Sequence, residues 1–301
     1  MSNTAAIAPL PALLAQSGLP EDPARELVRQ VRPYSGVWRL TFPRDGATVI
    51  YKEAWPPLDN EDTALRYAES CRLPVPHVIA SHHAGHRAAI LMTDLGQPAR
   101  PVTDAEGAQL AATIHHAPGS PDLPQIGPEE LAAMPGRITE RASRHRLPVI
   151  TIETAAVIAL SAPRLAAPAK TPPYGLCHSE WHPTSVIIDA DGNPHIYDWA
   201  RAFTGPGLID LASWLGTTTA PDLPAVRDHI TAYVNAGGHP AALAPRAGIP
   251  AEAWACGWHR LWAADWYLQQ IEMGWITSEH LPNQHEAINR HITEAAALLL
   301  P

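Results

Sequence analysis

The hydrophobic period of this chain changes once, near Leu95, and that change limits what it can fold into. Between residues 31 and 95 the apolar side chains come in short alternating runs. Val37-Trp-Arg-Leu-Thr-Phe42 and Ala47-Thr-Val-Ile-Tyr-Lys-Glu53, separated by Pro43-Arg-Asp-Gly46, predict a β-hairpin. The cap-like start at Asp59 predicts a helix to Glu69. Leu73-Pro-Val-Pro76 breaks it and leads to a strand at His77–Ala80, and the apolar run Ala88–Leu95 predicts a buried strand ended by Gly96. Residues 31–95 therefore read β-β-α-β-β. Beyond them the period is helical: a helix over Asp104–His116, a Pro/Gly-rich loop over 117–136, helices near 137–146 and 151–161, and helices from Leu208 onward with breaks near 220 and 237–250. Strand pattern returns only at Val186-Ile-Ile-Asp189 and His195-Ile-Tyr197, across a tight turn. The expectation is an α+β chain with a small β-rich lobe over 1–95 and a larger, mainly helical lobe over 96–301.

Composition narrows the class. Hydrophobic residues make up 46% and charged residues 17%, enough for two cores and incompatible with disorder. Cys71, Cys177 and Cys256 are far apart, with no C-x-x-C, so neither a disulfide framework nor a thiolate zinc site is expected; the cysteines suit a cytoplasmic location. The N-terminus lacks a basic region before Arg25, and no apolar run approaches the ~18 residues a bilayer span needs, so no membrane association is expected. Residues 1–95 carry nine basic and ten acidic side chains and the remainder twelve and twenty, so the net charge of -9 lies almost wholly in the C-terminal part. That balance argues against a nucleic-acid partner and suits a cationic ligand. Arginine outnumbers lysine nineteen to two, which singles out Lys52, on a strand, as a position where a compact ammonium is wanted.

The densest polar cluster is Cys177-His-Ser-Glu-Trp-His-Pro-Thr-Ser185, followed by Tyr197-Asp198-Trp and Leu208-Ile-Asp210-Leu-Ala. His178-Ser-Glu180 begins like a zinc deaminase but lacks the P-C-x-x-C half, and there is no H-E-x-x-H, G-x-S-x-G, P-loop or G-x-G-x-x-G. What remains is a histidine, an acid two residues on, a short polar residue five later, a hairpin and a second acid. In that order a loop carboxylate can take a proton from an attacking hydroxyl, while the later two groups hold magnesium on a nucleotide's phosphates.

These residues, with the Lys52 hairpin, Leu73-Pro-Val-Pro76 and the Leu91-Met-Thr-Asp-Leu95 linker, resemble the aminoglycoside phosphotransferase and choline-kinase-like family of small-molecule kinases. The resemblance implies a two-lobed protein-kinase-like fold that binds ATP or GTP with Mg²⁺ and phosphorylates a hydroxyl of a small, cationic molecule such as an aminoglycoside or related antibiotic. It assigns Glu180 as the base and His178 as a brace for its loop. Lys52 would meet the α- and β-phosphates, paired with Glu61 or Asp62, and Met92, Thr93, Asp94 and Leu95 would meet adenine. Asp198 and Ser185 would hold the metal. Asp210 is either an organiser of the loop or an ordinary helix-start acid, and Gly36 sits where a phosphate-covering turn is expected.

Three positions depart from the family pattern: Ser179 stands for glycine, Glu180 for aspartate and Ser185 for asparagine. Glutamate is one methylene longer, a displacement that costs about 10²-fold in rate on an unchanged loop, so the alternative is a nucleotide-binding pseudokinase or regulatory protein. Trp254, Trp258, Trp262 and Trp266, four residues apart, read as a helix stripe that belongs to the core or lines an acceptor pocket with Asp265 and Glu272. His82, His83 and His86 read as a solvated turn. The sequence leaves the oligomeric state open.

Overall fold

The computed structural model describes residues 9–31, 35–85 and 87–300. In chain order its elements are α1 (Pro9–Ser17), β1 (Ala24–Val31), β2 (Ser35–Thr41), β3 (Thr48–Ala54), α2 (Glu61–Ser70), β4 (Val78–Ala84), β5 (Arg87–Thr93), α3 (Asp104–His116), α4 (Pro128–Arg144), α5 (Val149–Ala166), β6 (Tyr174–Cys177), β7 (Val186–Ile188), β8 (Pro194–Ile196), β9 (Phe203–Pro206), α6 (Gly207–Ser213), α7 (Leu223–Asn235), α8 (Ala251–Glu272) and α9 (Leu281–Leu299). Two compact units result. One holds the described residues up to Val102 together with Thr184–Ala202; the other holds Thr103–Pro183 and Phe203 onward. The division is discontinuous in sequence, and the β7–β8 hairpin belongs to the first unit.

The first unit is an antiparallel sheet in the order β1-β2-β3-β5-β4. Side chains alternate between its faces, so Val49, Tyr51 and Leu91 join Leu40 and Phe42 on one face. Leu10, Leu13 and Leu14 of α1, spaced as one helical face, cover them. Lys52 therefore turns to the opposite face, with Val37 and Ile90 as its strand neighbours. Gly36 lies within β2, where a Cβ would come 2.2 Å from the Trp38 ring, so packing of that indole requires the glycine. The β7–β8 hairpin is pinned at two points: Ile196 N–H donates to Pro74 C=O (2.7 Å), and Ala99 N–H donates to Ile188 C=O (2.8 Å). The Leu73-Pro-Val-Pro76 break thus offers a carbonyl that no helix has claimed. His82 and His83 lie at the end of β4, where His83 Nε2 sits 3.0 Å from Asp62; His86 lies outside the described residues.

The second unit is helical around two short strands, β6 and β9. α3 starts at the Thr103/Glu106 capping box, in which each side chain satisfies the other's free N–H. α4 occupies part of the expected 117–136 loop: Pro128 stands in its first turn, where a missing N–H costs nothing, and Pro135 is tolerated inside. α4 and α5 form an antiparallel pair, and α8 packs on α9 and α6. Val149–Lys170, α5 with its 3₁₀ extension, is long and apolar enough to cross a membrane by length and composition (mean hydropathy 1.5); its inner face packs on α4 and α9.

Candidate active site

In the first unit, Lys52 and Glu61 are both buried and form a close ion pair, and Lys52 Nζ also lies 3.1 Å from Asp198 Oδ1. Of the two candidate acids Glu61 therefore pairs with Lys52, while Asp62 turns to His83. Glu61 also accepts the Trp199 N–H (3.1 Å), which ties α2 to the chain just after β8. Burial alone would pull the Lys52 ammonium down; Asp198 and Glu61 outweigh it and hold the group charged, above the ordinary lysine range. Register places Ser185 opposite Tyr197, the residue before Asp198. Val186 pairs with Ile196, and Tyr197 N–H donates to Ser185 C=O (3.1 Å), so the two flank the open end of the hairpin. Asp198 takes a positive φ of 66°, a strained conformation for a residue with a Cβ. Arg29, on the edge strand β1, reaches to 3.7 Å from its other oxygen. That contact had no signal in the sequence, because the apolar residues of β1 do not alternate.

The linker residues behave differently from one another. Met92 is buried in β5, and Thr93 exchanges two hydrogen bonds with His77, one through its N–H and one through its hydroxyl, both 3.0 Å. The Asp94 carboxylate is already engaged: Arg39 Nε donates at 2.5 Å and Gly96 N–H at 2.9 Å. Burial would raise this carboxyl, and Arg39 with the Gly96 N–H holds it below its usual range. Asp94 thus fixes the linker through its side chain.

In the second unit, the loop 178–183 follows β6 and is held from behind by α6. Asp210, fully buried, accepts the N–H groups of His178 (2.5 Å) and Ser179 (2.7 Å), which settles its role as an organiser of the loop. Ser213 Oγ donates to Trp181 C=O (2.6 Å). Glu180 lies between these anchored residues and is half-buried. Ser179 adopts φ 81°, the region that glycine takes without strain. His178 is fully buried, edge-on to Trp181 (5.8 Å). Behind the loop, the His115 ring lies 3.5 Å from Asp210, and Cys177 completes a buried group with them. Burial, then the Asp210 charge, pushes the Cys177 thiol well above its usual range, so it stays neutral and donates to the Gly205 carbonyl.

Three residues of the Trp stripe, Trp254, Trp258 and Trp266, belong to the core, and Trp262 is half-buried. Trp254 and Trp258 are fully buried, and Trp254 Nε1–H donates to Leu165 C=O (2.8 Å). The neighbouring acids are taken: Asp265 pairs with Arg141 and Arg137, and Glu272 with Arg141 and Arg144. Neither is a spare negative charge for a cationic ligand.

A model of the phosphotransferase enzyme family matches residues 28–248. No curated protein matches the chain. Among solved structures, choline kinase LicA from Streptococcus pneumoniae is 12% identical with a TM-score of 0.64, covering 95% of this chain and 99% of its own. ADP-bound aminoglycoside phosphotransferase APH(2'')-Ib is 13% identical with a TM-score of 0.62, covering 99% and 100%. A thermostable mutant of aminoglycoside phosphotransferase APH(4)-Ia, in ternary complex with AMP-PNP and hygromycin B, is 14% identical with a TM-score of 0.55, covering 94% and 98%. The fold, a five-stranded N-terminal sheet followed by a helical C-terminal part, is the protein-kinase-like fold of these enzymes.

Proposed function

Because the chain belongs to the phosphotransferase enzyme family, we propose that it moves the γ-phosphate of ATP or GTP to a hydroxyl of a small molecule. The observation that carries this reading is Lys52, a buried ammonium kept charged between Glu61 and Asp198. A buried lysine with two carboxylate partners is a poor device for stability but a good one for meeting phosphate oxygens, since the ammonium is already positioned and desolvated. Asp198 and Ser185 offer the hard oxygen donors that Mg²⁺ takes, and 28% exposure leaves the Asp198 carboxylate reachable. When bound, magnesium would neutralise phosphate charge. Lys52 then holds the α- and β-phosphates, Glu61 holds Lys52, and Arg29 adds a second cation beside Asp198. On the loop braced by Asp210, Glu180 accepts the proton of the attacking hydroxyl, with His178 and Trp181 fixing the backbone on either side. The unpaired thiols fit a reducing compartment such as the cytoplasm.

Mg-ATP and Mg-GTP should each be tested for thermal stabilisation, with Lys52→Ala and Asp198→Ala as controls. Both variants are expected to lose most of the shift, since one removes phosphate neutralisation and the other the metal anchor. Unchanged shifts in both would overturn the assignment. The pseudokinase reading keeps a specific support in Glu180 and Ser185, and turnover decides it: nucleotide binding without phosphotransfer to any acceptor would favour it.

A further inference from the structure

Half of the large apolar side chains exposed among the described residues stand on one helix. Of the eight, Val149, Ile150, Val157 and Leu160 belong to α5, and Leu160 is 85% exposed. Elsewhere such residues come one or two at a time, which is ordinary for a surface. Spacing gives α5 its two faces. Thr151, Ala155, Ile158, Ala162 and Leu165 recur every three or four residues and are buried where the helix packs on α4 and α9. The exposed four, with Glu153 and Arg164 among them, fall within about 100° of arc on the other side.

The charges on this stripe are set for a two-fold contact. Glu153 and Arg164, the only charged residues of α5, are separated by about three turns, so both lie near the midline of the stripe, one towards each end. Both are exposed, and neither makes an ion pair among the described residues; Arg164 donates to the Ala247 C=O at 3.3 Å. When two copies of such a helix lie antiparallel, each Glu153 comes opposite the Arg164 of the other copy, and Val157 and Leu160 pack between the two pairs. A parallel arrangement would set like charges against each other. A bilayer suits the stripe less well. Glu153 lies inside the apolar stretch, between Ile150 and Val157, where a carboxylate is costly against lipid, and one basic residue is too little to hold an anionic surface.

We propose that this face of α5 docks on the same face of a second copy of the chain, antiparallel about a two-fold axis, with ion pairs between Glu153 and Arg164 on both sides of the apolar centre. The contact does not depend on the phosphotransferase reading. One helix pair is a small interface, so the protein exchanges between monomer and dimer with a dissociation constant in the micromolar range.

Sedimentation velocity of the full-length protein across the micromolar range tests this. The wild type is expected to pass from monomer to dimer as concentration rises. Leu160→Glu, at an exposed position that the fold tolerates, should weaken the dimer about tenfold or more. Glu153→Arg and Arg164→Glu each set like charges opposite one another, so either alone should weaken it about fivefold or more, whereas an equimolar mixture of the two, or the double variant, should bring it back. The melting temperature in dilute solution should stay close to that of the wild type, which separates a lost contact from a lost fold. A wild type that stays monomeric throughout would overturn the contact; if that monomer binds vesicles of mixed neutral and anionic lipid, the stripe is a membrane surface instead. A dimer that Leu160→Glu leaves intact would overturn it as well. A dimer broken by Leu160→Glu but indifferent to both charge variants would overturn the antiparallel pairing.

Discussion

Ser179 bears two penalties in one residue. Its φ of 81° places a Cβ where L-residues are strained, and its buried hydroxyl has no hydrogen-bond partner among the described residues. Left-handed backbone costs a non-glycine residue ~1–2 kcal/mol, offset in part by the extra unfolded-state entropy of glycine. Ser179→Gly is therefore expected to stabilise the protein by about 1 kcal/mol, read as a higher urea midpoint; a lower midpoint would mean that the hydroxyl has a partner in solution. Glu180, next along, is tested by rate. If it is the base, Glu180→Ala should lower kcat by about 10² or more with nucleotide affinity kept, and Glu180→Asp should also lose activity, because the loop is set for the longer acid. A wild-type rate surviving in Glu180→Ala would refute the assignment. The sequence made Lys52, Glu180 and Asp198 legible because each interrupts a pattern or sits in an ordered motif. It left Glu61 and Asp62 unresolved for a physical reason. Adjacent helix residues point about 100° apart, and which one meets Lys52 depends on the helix phase, set by tertiary contacts such as Glu61 with Trp199. Arg29 was illegible because the apolar residues of its edge strand, Ala24, Leu27, Val28 and Val31, do not alternate.

At the scale of elements, α6 sets the loop through two residues, Asp210 at the His178 and Ser179 N–H groups and Ser213 at the Trp181 carbonyl. Both Asp210 oxygens are used on backbone N–H groups, so Asp210→Asn presents an NH₂ to a donor and must release one of them. As Asp210 acts through the loop, the expected signature is a fall in kcat of about tenfold or more with nucleotide affinity unchanged, and partial rescue is not expected from Asp210→Ser, which is too short. Equal loss of nucleotide affinity would indicate a general folding defect. The elements that the sequence revealed are those with a strong period or turn, such as the β2–β3 and β7–β8 hairpins and α3. α4 was shortened because Pro128 and Pro135 resemble loop punctuation, whereas one sits in the first turn and the other is buried in the helix. β6 and β9, four residues each, are too short for alternation to register, and they are defined by pairing with each other.

Across the whole molecule, two buried histidines make stability depend on pH in a window where carboxylates contribute little. Burial holds His229 down to about 4, against the opposing charge of Asp104, and holds His291 down to about 3, with Arg260, Arg290 and His259 adding to the effect. In the unfolded chain each would titrate near 6.5, so between about pH 6.5 and 4 the unfolded state binds protons that the folded state refuses. The sign follows: this stability is present above 6.5 and is lost as pH falls. Each histidine can remove ~1.4 kcal/mol per pH unit, or about 2 kcal/mol by pH 5. His229 lies flat on Trp214 (5.5 Å, 5°), and Trp214 packs on Trp181 (5.3 Å), the residue after Glu180, so acid strain is delivered to the floor of the loop. Urea unfolding from pH 7.5 to 5 should show a fall of about 4 kcal/mol, and His229→Gln, which cannot take up a proton, should lose about half of that dependence. A pH profile that is flat in the wild type, or as steep in His229→Gln as in the wild type, would show that His229 is already solvated and charged in the folded protein.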